Sequence, residues 1–300
     1  MRVMMAGASG LIGRAVAAAL RAEGHQVQRL VRRAPAAPDE VSWDPAGGGL
    51  DPAALAGADA VVNLAGRAIA RWPWTRRARD EMVASRVGAT RLLVETIGRL
   101  DARPSVFVSA SAIGYYGDRG DEVLTESSDP GRGFLADLVQ AWEAEARRAR
   151  AYGVRVVCTR FGLVVAPRGG VLAPLLLPFR LGLGGPLGSG RQWWSWVHLD
   201  DVVGAVLTAL RVPALDGPMN VVSPAPVTQR EFARALGAAL RRPAVLPVPA
   251  VALRLVLGAM ADETILASQR VRPATLEAVG FVFRWPELRP ALEDVLRRAA

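Results

Sequence analysis

Three glycines near the start of the chain have the spacing of a phosphate-binding turn. Gly7, Gly10 and Gly13 follow a short apolar run and precede an amphipathic helical pattern. In such a unit the first glycine allows a tight turn, the second lets a pyrophosphate approach the backbone, and the third lets the helix pack closely on the strand. Free N–H groups at the helix N-terminus would bind the phosphates. The spacing therefore predicts a dinucleotide site, with a purely structural turn as the alternative.

The end of the second predicted strand indicates which dinucleotide is bound. NAD-preferring sites carry Asp or Glu about 20 residues after the glycines, where it binds the ribose 2′-hydroxyl. This chain has Arg32 there, followed by Arg33. A guanidinium can pair with a 2′-phosphate, so the sequence favours NADP over NAD. A solvated arginine at a strand end is the alternative.

The elements that would position these residues alternate between strand and helix. The hydrophobic pattern predicts strands at 2–6, 25–31, 41–43, 58–64, 105–109 and 154–160, with helices after residues 10, 75 and 133. Such alternation is typical of an α/β, doubly wound Rossmann-type fold with a parallel sheet. We expect residues 1–245 to form this domain. Residues 246–300 would form a small C-terminal module in a substrate or cap region.

Composition narrows the class of protein. The chain has 300 residues, 51% hydrophobic, with one cysteine and two histidines, which argues against a disulfide framework or a zinc site. All its basic residues are arginines, spread along the chain rather than clustered, so we expect no nucleic-acid partner despite a net charge of +9. No apolar run is long enough to span a bilayer, and we expect no signal peptide before the first strand. We expect a cytoplasmic protein with no metal and no membrane partner, and the oligomeric state is not indicated.

Several motifs resemble those of the extended short-chain dehydrogenase/epimerase superfamily. Asn63-Leu64-Ala65-Gly66 resembles its cofactor motif, residues 109–112 its serine segment, and residues 197–202 its late VHVDD segment. More narrowly, the chain resembles an atypical, epimerase-like branch of uncharacterised NADP-binding oxidoreductases. Ser85-Arg86 and residues 178–186 and 188–192 carry that match, and the branch has a small C-terminal domain from about residue 246.

The resemblance implies a set of cofactor contacts. The residues that would surround the dinucleotide are Gly7, Ser9, Gly10, Leu11, Ile12, Gly13, Arg32, Leu64, Ala65, Gly66, Glu81, Arg86 and Ser109. Arg86 lies on the apolar side of its predicted helix, where an arginine without a partner would be costly. We expect a buried phosphate or carboxylate to neutralise it, with Glu81 the nearest candidate. An Arg–Glu pair that does not touch the cofactor is the alternative.

The chain departs from the superfamily in its catalytic residues. Well-studied members use a Tyr-x-x-x-Lys motif, whose lysine lowers the pKa of the tyrosine. Phe134 and Leu135 stand at the expected place, and the chain contains no lysine. The resemblance leaves Ser111 to orient a carbonyl and Tyr115 or Tyr116 as the acid, with Arg119 nearby. Aromatic packing in the loop is the alternative.

The sequence thus predicts an NADP-dependent oxidoreductase acting on an unidentified small carbonyl or alcohol. An NADP(H)-binding sensor or interaction protein with little turnover is one alternative, and a sugar-nucleotide epimerase-like enzyme is another. The resemblance implies that Arg180 and the tryptophans at 193, 194 and 196 line or cover the cleft above the nicotinamide. Their aromatic, apolar character would suit a weakly charged substrate.

Overall fold

The computed structural model describes residues 1–70 and 72–299. The strands are β1 (Arg2–Ala6), β2 (Gln26–Val31), β3 (Glu40–Ser42), β4 (Ala60–Asn63), β5 (Val106–Ala112), β6 (Val123–Leu124), β7 (Arg155–Phe161), β8 (Leu163–Val165), β9 (Trp193–Trp194), β10 (Trp196–His198), β11 (Gly217–Val221), β12 (Val227–Thr228) and β13 (Arg270–Val271). The helices are α1 (Leu11–Ala22), α2 (Arg76–Val83), α3 (Ala89–Gly98), α4 (Phe134–Arg147), α5 (Ala173–Arg180), α6 (Leu199–Arg211), α7 (Gln229–Leu240), α8 (Ala250–Leu257), α9 (Ala274–Ala278) and α10 (Leu288–Ala299). One π-helical segment, Ala84–Gly88, joins α2 to α3, and another is Ala261–Ile265.

Seven parallel strands form the central sheet in the order β11-β7-β5-β4-β1-β2-β3. Val3 pairs with Val27 on one side and with Ala60 on the other, so the strand order reverses at β1. Ligands of doubly wound folds bind at the carboxyl ends of the strands beside such a reversal. The predicted α/β, doubly wound fold is confirmed.

Helices cover both faces of the sheet because successive side chains of each buried strand point to opposite faces. Val3 and Met5 join the core that contains Val16 of α1 and Val206 of α6. Met4 lies in the other core, with side chains of α3 and the end of α4. Packing on both faces of the sheet therefore fixes β1 and the turn that follows it.

The C-terminal residues pack into a third core that they share with the rest of the chain. Leu292 and Val295 of α10 contact the cluster that contains Phe232 and Leu236 of α7. The short strand β13 pairs in parallel with β6, a strand of the first 245 residues. The division at residue 245 stays a prediction, because these contacts run across it.

The start of α6 is capped by the His198 side chain, which accepts a hydrogen bond from the Asp200 backbone N–H at 3.0 Å. Asp201 accepts from the backbone N–H groups of Arg284 and Trp285. Strand β5 continues to Ala112, because its last residues pair with the end of β7.

Candidate dinucleotide site

The glycine turn after β1 is packed so tightly that two of its glycines have no room for a side chain. A Cβ on Gly7, whose φ is +76°, would lie 2.4 Å from the carbonyl carbon of Leu64. A Cβ on Gly13 would lie 2.2 Å from the backbone oxygen of Gly7. Around Gly10, by contrast, the only close atom is the Gly7 oxygen at 3.3 Å. The turn therefore presents bare backbone at the carboxyl end of β1.

The N-terminus of α1 opens directly onto this turn. Gly10 is the N-cap residue, and no side chain caps the helix. Ser9 and Gly10 are exposed, whereas Leu11 and Ile12 are half-buried. The first N–H groups of a helix have no acceptor within it, so an anion can bind them together with the helix dipole. This geometry suits a pyrophosphate.

The two arginines after β2 differ in their surroundings. Arg33 donates to both carboxylate oxygens of Glu40, at 2.8 and 2.7 Å, and this ion pair holds the pKa of Glu40 below its usual value. Arg32 is exposed and forms no ion pair or side-chain hydrogen bond within residues 1–70 and 72–299. Arg32 is therefore available to an anionic group near the end of β2.

A second turn, after β4, lies beside the glycines. Asn63 is completely buried; its side-chain amide donates to Thr90 Oγ1 at 2.8 Å, and its Oδ1 accepts from the Ala65 N–H at 3.2 Å. These bonds fix the backbone of Leu64, Ala65 and Gly66 beside the glycine turn. Ser109, at the register of Asn63 on β5, is also buried.

Arg86 carries a buried charge beside this second turn. The side chain is 7% exposed and lies in the π-helical segment, a type of distortion that is frequent at functional sites. Its guanidinium donates to the Arg67 carbonyl at 2.8 Å and lies 5.3 Å from the Trp142 ring centroid. Its central carbon is 3.2 Å from where a Cβ of Gly66 would stand. Burial lowers the pKa of Arg86 to about 10, so it still carries its charge at neutral pH.

The expectation that Glu81 pairs with Arg86 is wrong. Glu81 lies on the solvent side of α2, where its carboxylate pairs with Arg67 and with Arg77. No carboxylate contacts the Arg86 guanidinium in the described part of the chain. The Arg86 charge is therefore stabilised by backbone carbonyls and the Trp142 ring, without a carboxylate among the described residues.

The predicted catalytic hydroxyls belong to a buried polar network. Ser111 Oγ donates to Glu143 Oε1 at 2.6 Å, and Glu143 forms an ion pair with Arg160 at 2.7 Å. Arg160 in turn donates to the Tyr116 hydroxyl at 2.9 Å. All four side chains are at most 3% exposed. A buried ion pair is stable only when its remaining hydrogen-bonding positions are filled, and the two hydroxyls do so here.

This placement argues against Tyr116 as an acid. Its hydroxyl also donates to Asn220 Oδ1 at 2.8 Å, and burial raises the pKa of Tyr116 to about 12. Tyr115 is only half-buried, with its ring centroid 3.5 Å from the Arg160 guanidinium carbon. Arg119, expected nearby, pairs with Glu122 instead. Tyr115 as the acid stays a prediction.

Glu143 and Arg160 were missed in the sequence analysis. Arg160 lies in the buried part of its strand, and Glu143 lies on the apolar face of its helix, beside Trp142. Opposite charges at buried positions of adjacent elements were the available signal. Glu263 was missed as well: it accepts from the Leu135 N–H at 2.7 Å, where the superfamily's tyrosine would stand. The two residues line a cleft of about 240 Å³ together with Gly114 and Arg132.

Most of the tryptophan cluster does not cover the cleft. Trp194 and Trp196 are 4% and 0% exposed and belong to the third core, so that expectation is wrong for both. Trp193 donates to Asp121 at 2.8 Å, and Arg180 is exposed on α5. The two buried rings connect β9 and β10 to α7.

The single cysteine behaves as a small apolar residue. Cys158 is 1% exposed within β7, and burial raises the pKa of its thiol to about 12. It is therefore protonated and shielded from solvent.

Among the described helices, none is long and apolar enough to cross a membrane.

Together, the doubly wound sheet, the glycine turn and the open helix terminus define a dinucleotide-binding protein of the short-chain dehydrogenase type. Residues 3–222 match the model of the NAD dependent epimerase/dehydratase family, and the chain belongs to that family. Residues 248–295 match a domain of unknown function, DUF1731. This combination confirms the predicted resemblance to an atypical epimerase-like branch.

Relatives match over nearly the whole chain. An epimerase family protein of Mycobacterium tuberculosis is 46% identical over 97% of this chain and 96% of its own length. Human epimerase family protein SDR39U1, crystallised with NADPH, superposes with a TM-score of 0.90 at 35% identity, covering 99% of both chains. A nucleoside-diphosphate sugar epimerase from Corynebacterium glutamicum gives a TM-score of 0.82 at 34% identity, covering 99% of this chain and 58% of that one.

Proposed function

We propose that this protein binds NADP(H) and acts as an oxidoreductase on a small carbonyl or alcohol. The glycine turn supports the binding of the dinucleotide most directly. Side chains at Gly7 and Gly13 would collide with backbone, while the N-terminus of α1 stays open. The structural relative crystallised with NADPH supports the same cofactor. The nicotinamide, when bound, would supply or accept a hydride.

The residues of the chain would divide the binding of the cofactor between them. The turn and the first N–H groups of α1 would hold the pyrophosphate. Arg32 would pair with the 2′-phosphate, since Arg33 is already held by Glu40. Leu64, Ala65 and Gly66 would flank the dinucleotide, and the Arg86 charge would face its negative groups.

Titration of the protein with NADPH and NADH tests the cofactor assignment, with quenching of tryptophan fluorescence as the signal. We expect tighter binding of NADPH. Arg32→Ala should weaken NADPH binding about 10- to 100-fold, as expected for the loss of a charge-assisted contact of about 1.5–3 kcal/mol, and leave NADH binding unchanged.

Arg33→Ala is the matched control, because its guanidinium is held by Glu40. Equal affinity for both dinucleotides, or equal losses in the two variants, would contradict the assignment of Arg32. In that case the preference for NADP would have another source or be absent.

A second candidate function is NADP(H) sensing with little turnover. The observation that favours it is the state of the predicted catalytic hydroxyls, since Ser111 and Tyr116 are both bonded inside the protein. Without a poised general acid, we expect turnover of test carbonyls to be about 10²–10⁴-fold lower than in an enzyme that has one.

Tyr115→Phe and Ser111→Ala separate the two candidates, with NADPH oxidation over a panel of carbonyls as the assay. Loss of the remaining activity in Tyr115→Phe, at unchanged NADPH affinity, would support the enzyme with Tyr115 as the acid. Full activity in both variants would show that the reaction takes place at other residues. NADPH binding without any turnover would support the sensor.

A further inference from the structure

Exposed apolar side chains are concentrated on one part of the surface. Thirteen large apolar side chains are exposed among the described residues, and eight of them lie within residues 177–183 and 245–256. Leu255 is 82% exposed and Leu177 is 67% exposed. Seven of the eight residues of α8 are apolar, yet none of them is buried. A concentration of this kind marks an interaction site.

Backbone hydrogen bonds join the two stretches of chain that carry these side chains. The Val248 N–H donates to the Pro186 carbonyl at 2.8 Å, and the Gly188 N–H donates to the Val248 carbonyl at 2.8 Å. Helix α5 ends before Pro186, and α8 begins after Val248. Trp72, 58% exposed, lies beside Leu255 at the far end. Residues 177–187 and 241–257 are called the apolar surface below.

The charge on the apolar surface has a single sign. Residues 146–199 and 232–261 contain no aspartate or glutamate. Arg180, Arg241 and Arg242 are exposed, and none of them forms an ion pair with a residue that the structure describes. Arg254 is the exception, since Asp262 from outside the surface pairs with it. A second copy of the chain would bring the same arginines face to face, so an anionic partner is favoured over a symmetric dimer.

We propose that the apolar surface binds the surface of an anionic lipid bilayer. The leucines and valines of α5 and α8 would enter the boundary between headgroups and acyl chains, while the arginines pair with lipid phosphates. Trp72 has the amphipathic ring that is enriched at that depth. The expectation of no membrane partner depended on the lack of a spanning segment, and a peripheral contact needs no such segment.

Flotation with lipid vesicles tests the proposal on the full chain. We expect binding to vesicles of equal parts phosphatidylcholine and phosphatidylglycerol, and at least tenfold weaker binding to phosphatidylcholine alone. Leu255→Asp should weaken binding about tenfold, since an exposed side chain that inserts is replaced by a charge. Arg241→Glu with Arg242→Glu should do the same and remove most of the dependence on phosphatidylglycerol.

Val282→Asp is the matched control, because Val282 is 86% exposed and lies outside the apolar surface. Its binding should stay within twofold of the unchanged protein, and circular dichroism should show all variants folded. No flotation with phosphatidylglycerol vesicles would overturn the proposal, as would equal effects of Leu255→Asp and Val282→Asp. A dimer in solution that Leu255→Asp dissociates would assign the surface to a second copy, and tight binding to an acidic protein without flotation would assign it to that class of partner.

Discussion

At the scale of single residues, Arg86 combines a buried charge with the lack of a carboxylate partner among the residues that the structure describes. Such a charge destabilises the protein until a ligand neutralises it. Replacing the guanidinium by a chain of similar length, Arg86→Met, should raise the free energy of unfolding of the cofactor-free protein by about 1–2 kcal/mol. The same variant should bind NADPH more weakly than the unchanged protein.

Urea unfolding and NADPH titration measure the two effects. Arg77→Met serves as the control, because the Arg77 side chain is 90% exposed on α2 and should influence neither quantity. If Arg86→Met lowers the stability and leaves NADPH binding intact, the guanidinium acts only as a donor to the Arg67 carbonyl.

At the scale of elements, the turn between β1 and α1 uses its glycines for two different purposes. Gly13 brings α1 against the turn, and its replacement by alanine would place a Cβ 2.2 Å from the Gly7 oxygen. We expect Gly13→Ala to cost about 1–3 kcal/mol of stability, because α1 has to move.

Gly10→Ala should leave the fold largely intact, since only one atom lies near the new methyl group. The methyl group would, however, occupy space needed by a pyrophosphate, so NADPH binding should be lost. Circular dichroism and titration distinguish the two variants. Normal NADPH affinity in Gly10→Ala would reduce the turn to a structural role.

At the scale of the whole molecule, His198 connects β10, α6 and α10. Its Nε2 lies 3.3 Å from Asp294 Oδ2, and its Nδ1 caps α6 at Asp200. The side chains of His198, Asp200 and Asp294 resemble a cation site. However, Arg298 pairs with both carboxylates and supplies the positive charge. Burial lowers the pKa of His198 below its usual value, despite the two acids.

This lowered pKa predicts a loss of stability in mild acid. In the unfolded chain a histidine binds a proton near pH 6.5, whereas folded His198 resists protonation. Neutral His198 therefore contributes stability above pH 6.5. This contribution is lost as the pH falls from 6.5 to the pKa of His198 in the folded protein, at up to about 1.4 kcal/mol per pH unit. Urea unfolding at pH 7 and pH 5 measures this loss.

Two histidine variants separate His198 from the carboxyl groups, among which Asp201 has a raised pKa and opposes the effect. His198→Gln should lose less stability between pH 7 and pH 5 than the unchanged protein. His25→Gln should retain the whole loss. An identical pH dependence in all three proteins would contradict the prediction.

The sequence by itself determined the features that depend on local pattern. The period of the hydrophobic residues predicted the strands and helices of the sheet, and the spacing of Gly7, Gly10 and Gly13 predicted a turn that only bare backbone can form. The helix predicted after residue 75 likewise begins there, where the Thr75 side chain accepts a hydrogen bond from the Ala78 N–H. These features could be predicted because their causes lie within a few residues of one another.

Only the tertiary structure decided which charges and hydroxyls meet. Glu81 and Arg86 are five positions apart, yet Glu81 faces solvent while Arg86 is buried beside Gly66. Tyr116 meets Arg160 from 44 residues away and Asn220 from 104, which converts a predicted acid into part of a buried network. A side chain's partners depend on the packing of distant elements, and desolvation then sets its pKa, so sequence spacing carries no record of either.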